Sequence, residues 1–345
     1  MDIIILVFSL FLVILGLGIL RNWKVKSPEQ NTYTILIACR NEESNLPELF
    51  QSLRKIDYPS DKFEIILVDD ASDDDSFRLI SKFCSDSENA KCFRLEKKDL
   101  EYFGKKAALK KAADKAIYDF LLFTDADCFP QPDWLKSYNK FISDKTGMVV
   151  GNYKEKNASS FRIFCNRISF AIYAGTIGLN CPFSASGGNM TVRKQAFLEV
   201  GGYDRIKHYI AGDDKLLLNL IRKTKWQISY NPEFIVQTKA VSDRDSYHHQ
   251  QKRRYGKFGM SSFGFKIISL LVLLIYLYIP VRFFVFKDWK SVLVYLFGAL
   301  FFWMINLTKH KFRFRMIDLI FILIYPYYLI IYSLLGTFST WNWKN

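Results

Sequence analysis

Two carboxylates one residue apart are the part of this chain best suited to chemistry. Asp125 and Asp127 follow the apolar run Phe120-Leu-Leu-Phe123. A short apolar run that ends in a polar turn is typical of a buried parallel strand, and open α/β sheets bind ligands beyond the carboxyl ends of their strands. Mg²⁺ and Mn²⁺ prefer oxygen ligands, often carboxylates together with substrate phosphates. The pair predicts a metal–diphosphate site; the alternative is an Asp-rich turn capping a helix at Pro132-Asp-Trp-Leu135.

Strands and helices alternate on the N-terminal side of this pair. The predicted strands are Thr32–Ala38, Phe63–Val68, Lys91–Leu95 and Phe120–Thr124. The predicted helices are Leu46–Leu53 with Asn45 as N-cap, one starting near Ser76, and Gly104–Ala116. This alternation indicates a doubly wound α/β domain. Acidic and amide residues follow three of the strands, so we expect them to meet at one edge of the sheet.

The composition is basic and aromatic. Lys and Arg number 48 against 34 Asp and Glu, a formal net charge of +14. Such a balance suits nucleic acid, an anionic membrane or phosphorylated ligands. The aromatic residues concentrate in apolar C-terminal stretches, and no nucleic-acid-binding signature is present, so a membrane is favoured and nucleic acid is not expected. The six cysteines form no close pair and are interpreted as free thiols in a reducing compartment.

Residues 1–22 are predicted to be a retained membrane anchor. Ile3–Leu20 carries no charge and is close to the shortest span of a bilayer. A cleaved signal peptide is the alternative, but Met1-Asp2 offers no basic n-region. The basic residues Arg21, Lys24 and Lys26 follow the apolar run, so the positive-inside rule puts the following domain in the cytoplasm.

Three further membrane helices are predicted near the C-terminus, within residues 266–340. They are Ile267–Phe286, Ser291–Leu307 and Leu319–Phe338, the second short enough to be tilted or re-entrant. The basic loop Lys309–Arg315 should face the cytoplasm, which agrees with the orientation from the N-terminal cluster. The alternative is a set of buried helices in a soluble protein.

An ordered set of motifs resembles the family 2 glycosyltransferases. The motifs are Ala38-Cys-Arg-Asn-Glu-Glu, Val68-Asp-Asp-Ala-Ser-Asp, Gly104-Lys-Lys-Ala-Ala-Leu, Thr124-Asp-Ala-Asp, Ser186-Gly-Gly-Asn-Met-Thr-Val-Arg, Val200-Gly-Gly-Tyr-Asp204, Gly212-Asp-Asp214 and Gln251-Lys-Arg-Arg-Tyr255. The resemblance covers roughly residues 32–260 and is carried by the set and its order, since each motif alone is weak. It implies a GT-A nucleotide-sugar domain over residues 30–242.

For the donor, the resemblance implies Asp127 as the direct metal ligand and Asp125 near the ribose or the metal. Asp70, or its neighbour Asp69, resembles the carboxylate that reads the base, and a carboxylate can accept the imide N–H of uracil. Three residues match the first nucleotide loop: Ala38, Arg40 and Glu42. Lys105 matches a basic residue near the nucleotide; the alternative is a solvated helix face, since it has several lysine neighbours.

For the acceptor, a carboxylate must remove the proton of the attacking hydroxyl. By position Asp214 is the base and Asp213 its supporter, although the family usually has Glu-Asp here. Acids at the start of a helix also complement its dipole, which is the alternative. Gly187 and Gly188 would allow close backbone approach to sugar or acceptor, or form an ordinary turn.

The segment of residues 243–265 resembles an interfacial helix with the family's Gln-x-x-Arg-Trp signature. There Arg254 would face the diphosphate, and Gln251 and Tyr255 the acceptor, with Tyr255 replacing Trp. A basic membrane-surface helix is the alternative, and both interpretations are compatible.

The sequence therefore predicts a multi-pass membrane protein with a cytoplasmic GT-A domain. It would be an inverting transferase that uses Mg²⁺ or Mn²⁺ and moves a sugar from a nucleoside diphosphate sugar, a UDP-sugar by resemblance, to a lipid-linked or glycan acceptor. The first alternative is a processive polysaccharide synthase, and the second is a membrane scaffold that binds nucleotide without turnover.

Overall fold

The computed structural model describes residues 2–26, 28–96, 101–102, 105–209, 212–233, 235–241, 243–256 and 263–337. Contacts divide the chain into two compact units. The helical unit contains Met1–Arg21, Ala158–Cys181 and Val241–Trp341, and the α/β unit contains Asn22–Asn157 and Pro182–Ala240.

The α/β unit is built on a mixed sheet. Its strands are β1 (Tyr33–Cys39), β2 (Phe63–Asp69), β3 (Ala90–Arg94), β4 (Phe120–Asp125), β5 (Cys128–Pro130), β6 (Thr146–Val150), β7 (Lys154–Lys156), β8 (Met190–Arg193), β9 (Gln227–Tyr230) and β10 (Val236–Lys239). Among the described residues the large sheet has the order β3-β2-β1-β4-β8-β6-β9, and β5, β10 and β7 form a smaller sheet. The large sheet is parallel from β3 to β4, and β8 enters antiparallel beside β4.

The helices of this unit are α2 (Leu46–Leu53), α3 (Ser76–Ser85), α4 (Lys106–Lys115), α5 (Trp134–Asn139), α7 (Lys194–Glu199) and α8 (Asp213–Ile221). Every residue of β1 and β2 is buried, as expected for central strands covered on both faces. The predicted α/β class and its first four strands are confirmed, with small shifts at the strand ends.

Two local predictions need correction. Asn45 occupies the N-cap position of α2, but its side chain caps nothing there. Its amide donates instead to Glu42 Oε2 at 2.8 Å. The helix predicted from Gly104 begins at Lys106, and Gly104 itself lies outside the described residues.

The helical unit contains α1 (Ile3–Ile19), α6 (Ser160–Gly178), α9 (Arg244–Gly256), α10 (Phe263–Phe284), α11 (Trp289–His310) and α12 (Ile317–Thr337). By length and composition α10, α11 and α12 are apolar enough to cross a membrane, whereas α1 is a shorter apolar helix. The second predicted C-terminal span is longer than expected, with 22 residues in α11. Phe338, the predicted end of the last span, lies outside the described residues.

Helices α1 and α11 pack side by side and run in the same direction. At their first residues, the Asp2 backbone N–H donates to Ser291 Oγ at 2.9 Å. Near their last residues, Lys309 Nζ donates to the Arg21 carbonyl at 2.9 Å. Gly298 of α11 permits the approach, since a Cβ there would lie 2.5 Å from an α1 side chain, at Ser9 Oγ.

Helix α6 belongs to the helical unit, whereas the predicted domain of residues 30–242 included it. Its Gly175 and Gly178 meet the backbone of α1, and a Cβ at Gly178 would lie 1.8 Å from the Gly18 carbonyl oxygen. Phe164 packs on Trp303 of α11, with ring centroids 4.6 Å apart. The α/β unit is therefore discontinuous in sequence, interrupted by one helix that packs elsewhere.

Candidate active site

The ends of three parallel strands bring the first acidic residues to one edge of the sheet. Ala38 at the end of β1 pairs with Val68 of β2 and with Asp125 of β4. Cys39 pairs with Asp69 in the same register. The positions of these side chains are therefore set by the buried strands before them.

The loops after β1 and β2 are tied to one another. Asn41 donates its backbone N–H to Ser72 Oγ at 3.0 Å, and Glu42 donates its own to Ser76 Oγ at 2.8 Å. Each loop turns through a left-handed residue, Asn41 and Ala71, both with φ of 52°. Glu42, predicted to bind the donor, is 8% exposed and accepts from Asn45.

Asp69 and Asp70 are both buried, and each has its own arginine. Arg94 Nε lies 3.2 Å from Asp69 Oδ2, and Arg40 Nη1 lies 3.9 Å from Asp70 Oδ2. The Oδ1 atom of each carboxylate has no hydrogen-bond partner among the described residues. Burial raises the pKa of Asp70 to about 6, with Arg40 opposing the rise and Asp69 adding to it.

Lys105 links Asp125, at the end of β4, to the carboxylates at the start of α8. Its Nζ lies 2.5 Å from Asp125 Oδ1 and 3.3 Å from Asp213 Oδ2. Burial alone would lower the pKa of Lys105, but Asp125, Asp213 and Asp214 outweigh it and raise that pKa well above its usual value. Lys105 is therefore a fixed positive charge between two elements that are distant in sequence.

Asp214 is oriented by backbone groups at the start of α8. Its Oδ2 accepts from the Gly187 N–H at 3.2 Å, and its Oδ1 accepts from the Lys215 N–H at 2.7 Å. Gly212, with φ of 80°, directs the chain into this helix. Since the same Gly187 would carry its Cβ 3.3 Å from Asp213 Oδ2, any side chain there would crowd the pair.

Asn189 fixes the glycine turn, and its role was not predicted. Its Oδ1 accepts from Trp134 Nε1 at 2.9 Å and from the Tyr138 hydroxyl at 2.7 Å. Thr124 Oγ1 donates to the Gly188 carbonyl at 3.0 Å. The sequence signal was the Asn that follows Gly-Gly, but its aromatic partners lie about 50 positions away, where local patterns do not reach.

Asp125, Asp127 and Cys128 place possible ligand atoms within 4.8 Å of one another. The two carboxylates fit a hard divalent cation. Burial, aided by Asp127 and Asp125, raises the pKa of the Cys128 thiol well above its usual value. Sulfur is also a softer ligand than a hard divalent cation prefers. Its Sγ lies 3.6 Å from Asp127 Oδ1 as a hydrogen-bond donor.

The residues of the Gln-x-x-Arg motif belong to the helical unit. Gln251 is buried, and Arg254 Nη1 donates to Asn166 Oδ1 at 2.8 Å. The Tyr255 ring packs against Tyr328 and Tyr332, at centroid distances of 5.9 and 6.4 Å. The other predicted site residues all lie in the α/β unit.

An open, mostly parallel sheet with carboxylates at its strand ends is consistent with the class of GT-A glycosyltransferase folds. A mannosyltransferase from Pyrobaculum calidifontis, solved in complex with GDP-Man and Mn²⁺, superposes with a TM-score of 0.58 at 15% identity. The alignment covers 97% of this chain and 99% of that one, which shows the shared fold.

Residues 34–201 match the sequence profile of the family described as Glycosyl transferase family 2, so the chain carries a domain of that family. It is 29% identical over 178 residues to the poly-beta-1,6-N-acetyl-D-glucosamine synthase of Staphylococcus aureus strain COL, covering 50% of this chain and 42% of that protein. It is 30% identical over 118 residues to the poly(ribitol-phosphate) beta-N-acetylglucosaminyltransferase TarS of S. aureus strain Mu50, covering 34% of this chain and 20% of that protein. The matched region therefore spans less than half the length of either relative.

Proposed function

We propose that this protein is an inverting glycosyltransferase that moves a sugar from a nucleoside diphosphate sugar to a lipid-linked acceptor. The observation that carries the proposal is the position of Lys105 between Asp125 and Asp213, beside the Gly187-Gly188 turn. One cluster thus offers a cation for a diphosphate, carboxylates for a metal and a carboxylate for the acceptor.

On the donor side, Asp70 reads the base with its unpartnered Oδ1, and Asp69 is the alternative. Ala38, Arg40 and Glu42 form the loop beside the nucleotide, and Lys105 contacts the diphosphate. Asp127, with Asp125, holds Mg²⁺ or Mn²⁺, which when bound neutralises charge on the leaving diphosphate. The two curated relatives carry N-acetylglucosamine in their names, so UDP-N-acetylglucosamine is the first donor to test.

On the acceptor side, Asp214 takes the proton of the attacking hydroxyl as the new bond to the anomeric carbon forms. The N–H groups of Gly187 and Lys215 hold its two oxygens in place. Asp213, paired with Lys105, supports it. Attack on the face opposite the diphosphate inverts the anomeric centre.

The membrane orientation rests on charge and on the parallel packing of α1 and α11. Basic residues follow both helices, at Arg21 and at Lys309–Arg315. Because the two helices are parallel, their basic C-terminal ends lie on the same side of the membrane. The positive-inside rule makes that side the cytoplasm, which gives a cytoplasmic α/β unit in a multi-pass protein. The family resemblance also assigns Arg254 to the diphosphate and Gln251 and Tyr255 to the acceptor.

A processive polysaccharide synthase is the second candidate, because one curated relative is named as a polymer synthase. Its product would be a long glycan chain instead of a single transferred sugar.

The deciding experiment uses full-length protein in detergent with a panel of nucleotide sugars and Mn²⁺. Release of nucleoside diphosphate that requires both metal and added membrane lipid supports a lipid acceptor, whereas a labelled high-mass product supports the synthase. Nucleotide binding without release under any donor contradicts both and leaves the scaffold interpretation. Asp57→Asn, a change in an exposed ion pair with Lys136, is the control for substitution itself.

A further inference from the structure

Helix α12 has two faces of different chemistry. Its exposed face is mainly apolar, with Leu319, Ile320, Leu323, Ile324, Ile331, Leu334 and Leu335, and also exposes Tyr327 and Thr337. Its buried face contains Asp318, Ile322, Tyr325, Tyr332 and Gly336. Such an outer face suits contact with lipid acyl chains, and the position of the two ends of the helix decides whether it crosses the membrane.

The second half of α12 packs against the most polar helix of the unit. Tyr328 and Tyr247 of α9 join their hydroxyls at 2.8 Å, and Tyr332 bonds His248. The backbones meet at Gly336, where a Cβ would lie 2.4 Å from the Lys252 carbonyl oxygen.

Helix α9 lies at the C-terminal end of α11. Arg254 of α9 donates to Asn166 of α6. The carbonyl of the next residue of α6, Arg167, accepts from Asn306 Nδ2 of α11 at 3.4 Å. The opposite end of α11 is elsewhere in the unit, beside Asp2. A helix of this length separates its ends by about 33 Å.

Both ends of α12 therefore lie on the same side of the helical unit. Its start follows α11 after a short segment, and Arg315 just before it donates to the Ser160 carbonyl of α6 at 3.2 Å. Its end, at Gly336, touches α9. A helix that crossed the bilayer would have its ends on opposite sides.

Tyrosines occupy the middle of α12, at Tyr325, Tyr327, Tyr328 and Tyr332. In a spanning helix they would lie near the centre of the hydrocarbon, whereas tyrosine is enriched where membrane meets water. The neighbouring basic segment Lys309–Arg315 suits the anionic headgroups of the same surface.

We propose that α12 lies in the plane of the membrane, with its apolar face against lipid acyl chains, and does not cross. The chain would then cross with α1, α10 and α11, and the end of α12 at Gly336 would stay on the side of the basic segment. This inference rests on the proposed membrane location and goes beyond it by excluding one of the three candidate spans.

The test is the side from which introduced cysteines react in the full-length protein. Phe286→Cys, Phe314→Cys and Asn345→Cys are labelled in sealed vesicles with an impermeant maleimide, and peptide mass mapping separates them from native cysteines. We expect Asn345→Cys to label from the same side as Phe314→Cys and opposite to Phe286→Cys. Labelling of Asn345→Cys together with Phe286→Cys overturns the inference. If Phe286→Cys and Phe314→Cys share a side, α11 does not cross and the proposed topology itself fails.

The second measurement is the membrane depth of residues along α12, because it reports directly on the orientation of that helix. Nitroxides at Ile320→Cys, Tyr327→Cys and Leu334→Cys should give one shallow depth from their accessibility to oxygen and to a nickel chelate. A maximum depth at Tyr327→Cys contradicts an in-plane helix. Leu293→Cys, Phe297→Cys and Met304→Cys along α11 supply the matched profile expected of a crossing helix.

Discussion

The α/β unit holds two groups of carboxylates that differ in how their charge is balanced. Asp69 and Asp70 each lie near an arginine of their own. Asp125 and Asp213 share the single Lys105, and Asp214 adds to the negative electrostatic potential at its ammonium group. The first group is close to neutral as it stands, whereas the second keeps an excess of negative charge.

This difference separates two kinds of binding. A balanced, buried pair with unpartnered oxygens is suited to a neutral group that offers N–H donors, such as a nucleobase. An unbalanced cluster gains most from a further cation, and a divalent ion supplies that charge together with a link to phosphate. The proposed division between base-reading and metal-binding carboxylates follows from this contrast.

The largest expected effect is on the proposed base. Asp214→Asn keeps the size of the side chain but cannot accept a proton, so the transfer rate should fall by about 10²–10⁴-fold while donor binding is kept. The measurement is the rate of nucleoside diphosphate release beside a donor-binding titration, with Asp57→Asn as control. An unchanged rate would remove Asp214 from the mechanism.

The next effect is on the charge balance of the second group. Lys105→Gln removes its cation, so Mn²⁺ alone should bind about tenfold more tightly, although transfer slows because the diphosphate loses a contact. Calorimetry with Mn²⁺ measures this. Lys110→Gln, on the helix that follows Lys105, is the matched control, since Lys110 pairs with Asp114. Equal Mn²⁺ affinity in both variants would show that Lys105 does not compete with a metal.

The space between the carboxylates gives a third test. A Cβ at Gly188 would lie 3.0 Å from Cys128 Sγ and 3.3 Å from Asp125 Oδ2, so Gly188→Ala must displace one of them. We expect transfer to fall about tenfold, consistent with a small misplacement of catalytic groups. Gly264→Ala, where no neighbouring atom of the described residues would lie within 4 Å of the new Cβ, is the control. Equal activity of the two variants would mean that the turn can relax.

The last effect concerns the balanced group and its response to pH. The pKa of Asp70 is about 6, so its carboxylate accepts hydrogen bonds above that pH and is protonated below it. If it reads the base as a carboxylate, donor affinity should fall about tenfold between pH 7 and pH 5. Asp70→Asn should bind weakly with a flatter profile over this range. If the donor affinity of the wild-type protein does not change over this pH range, Asp69 is favoured as the carboxylate that binds the base.

The sequence was informative where local pattern decides the structure. Apolar runs such as Phe120–Phe123 mark central strands, and the acids that follow them are brought together because parallel strands end at one edge. The ordered motifs also named Lys105 and Asp213, which the fold places 3.3 Å apart.

The remaining features depend on contacts that no local pattern encodes. Helix α6 interrupts the α/β unit because Gly175 and Gly178 pack on α1, more than 150 positions earlier. Asp69 and Asp70 were predicted as alternatives for one role, and the structure pairs each with a different arginine. Arg94, the partner of Asp69, comes from the next strand. Hydropathy alone could not distinguish α12 from α11, because both are long and apolar.

The parallel packing of α1 on α11 has a consequence for how the protein is made. Helix α1 leaves the ribosome first, and its partner follows nearly 290 positions later. At about 5–20 residues per second, α1 waits roughly 15–60 s in the membrane before α11 is synthesised. During that time Gly16 and Ser9, which pack on α11, face lipid instead of that helix. Completion of the helical unit is therefore a late step of biogenesis, and a chain truncated before α11 would leave its first helix without its longest contact.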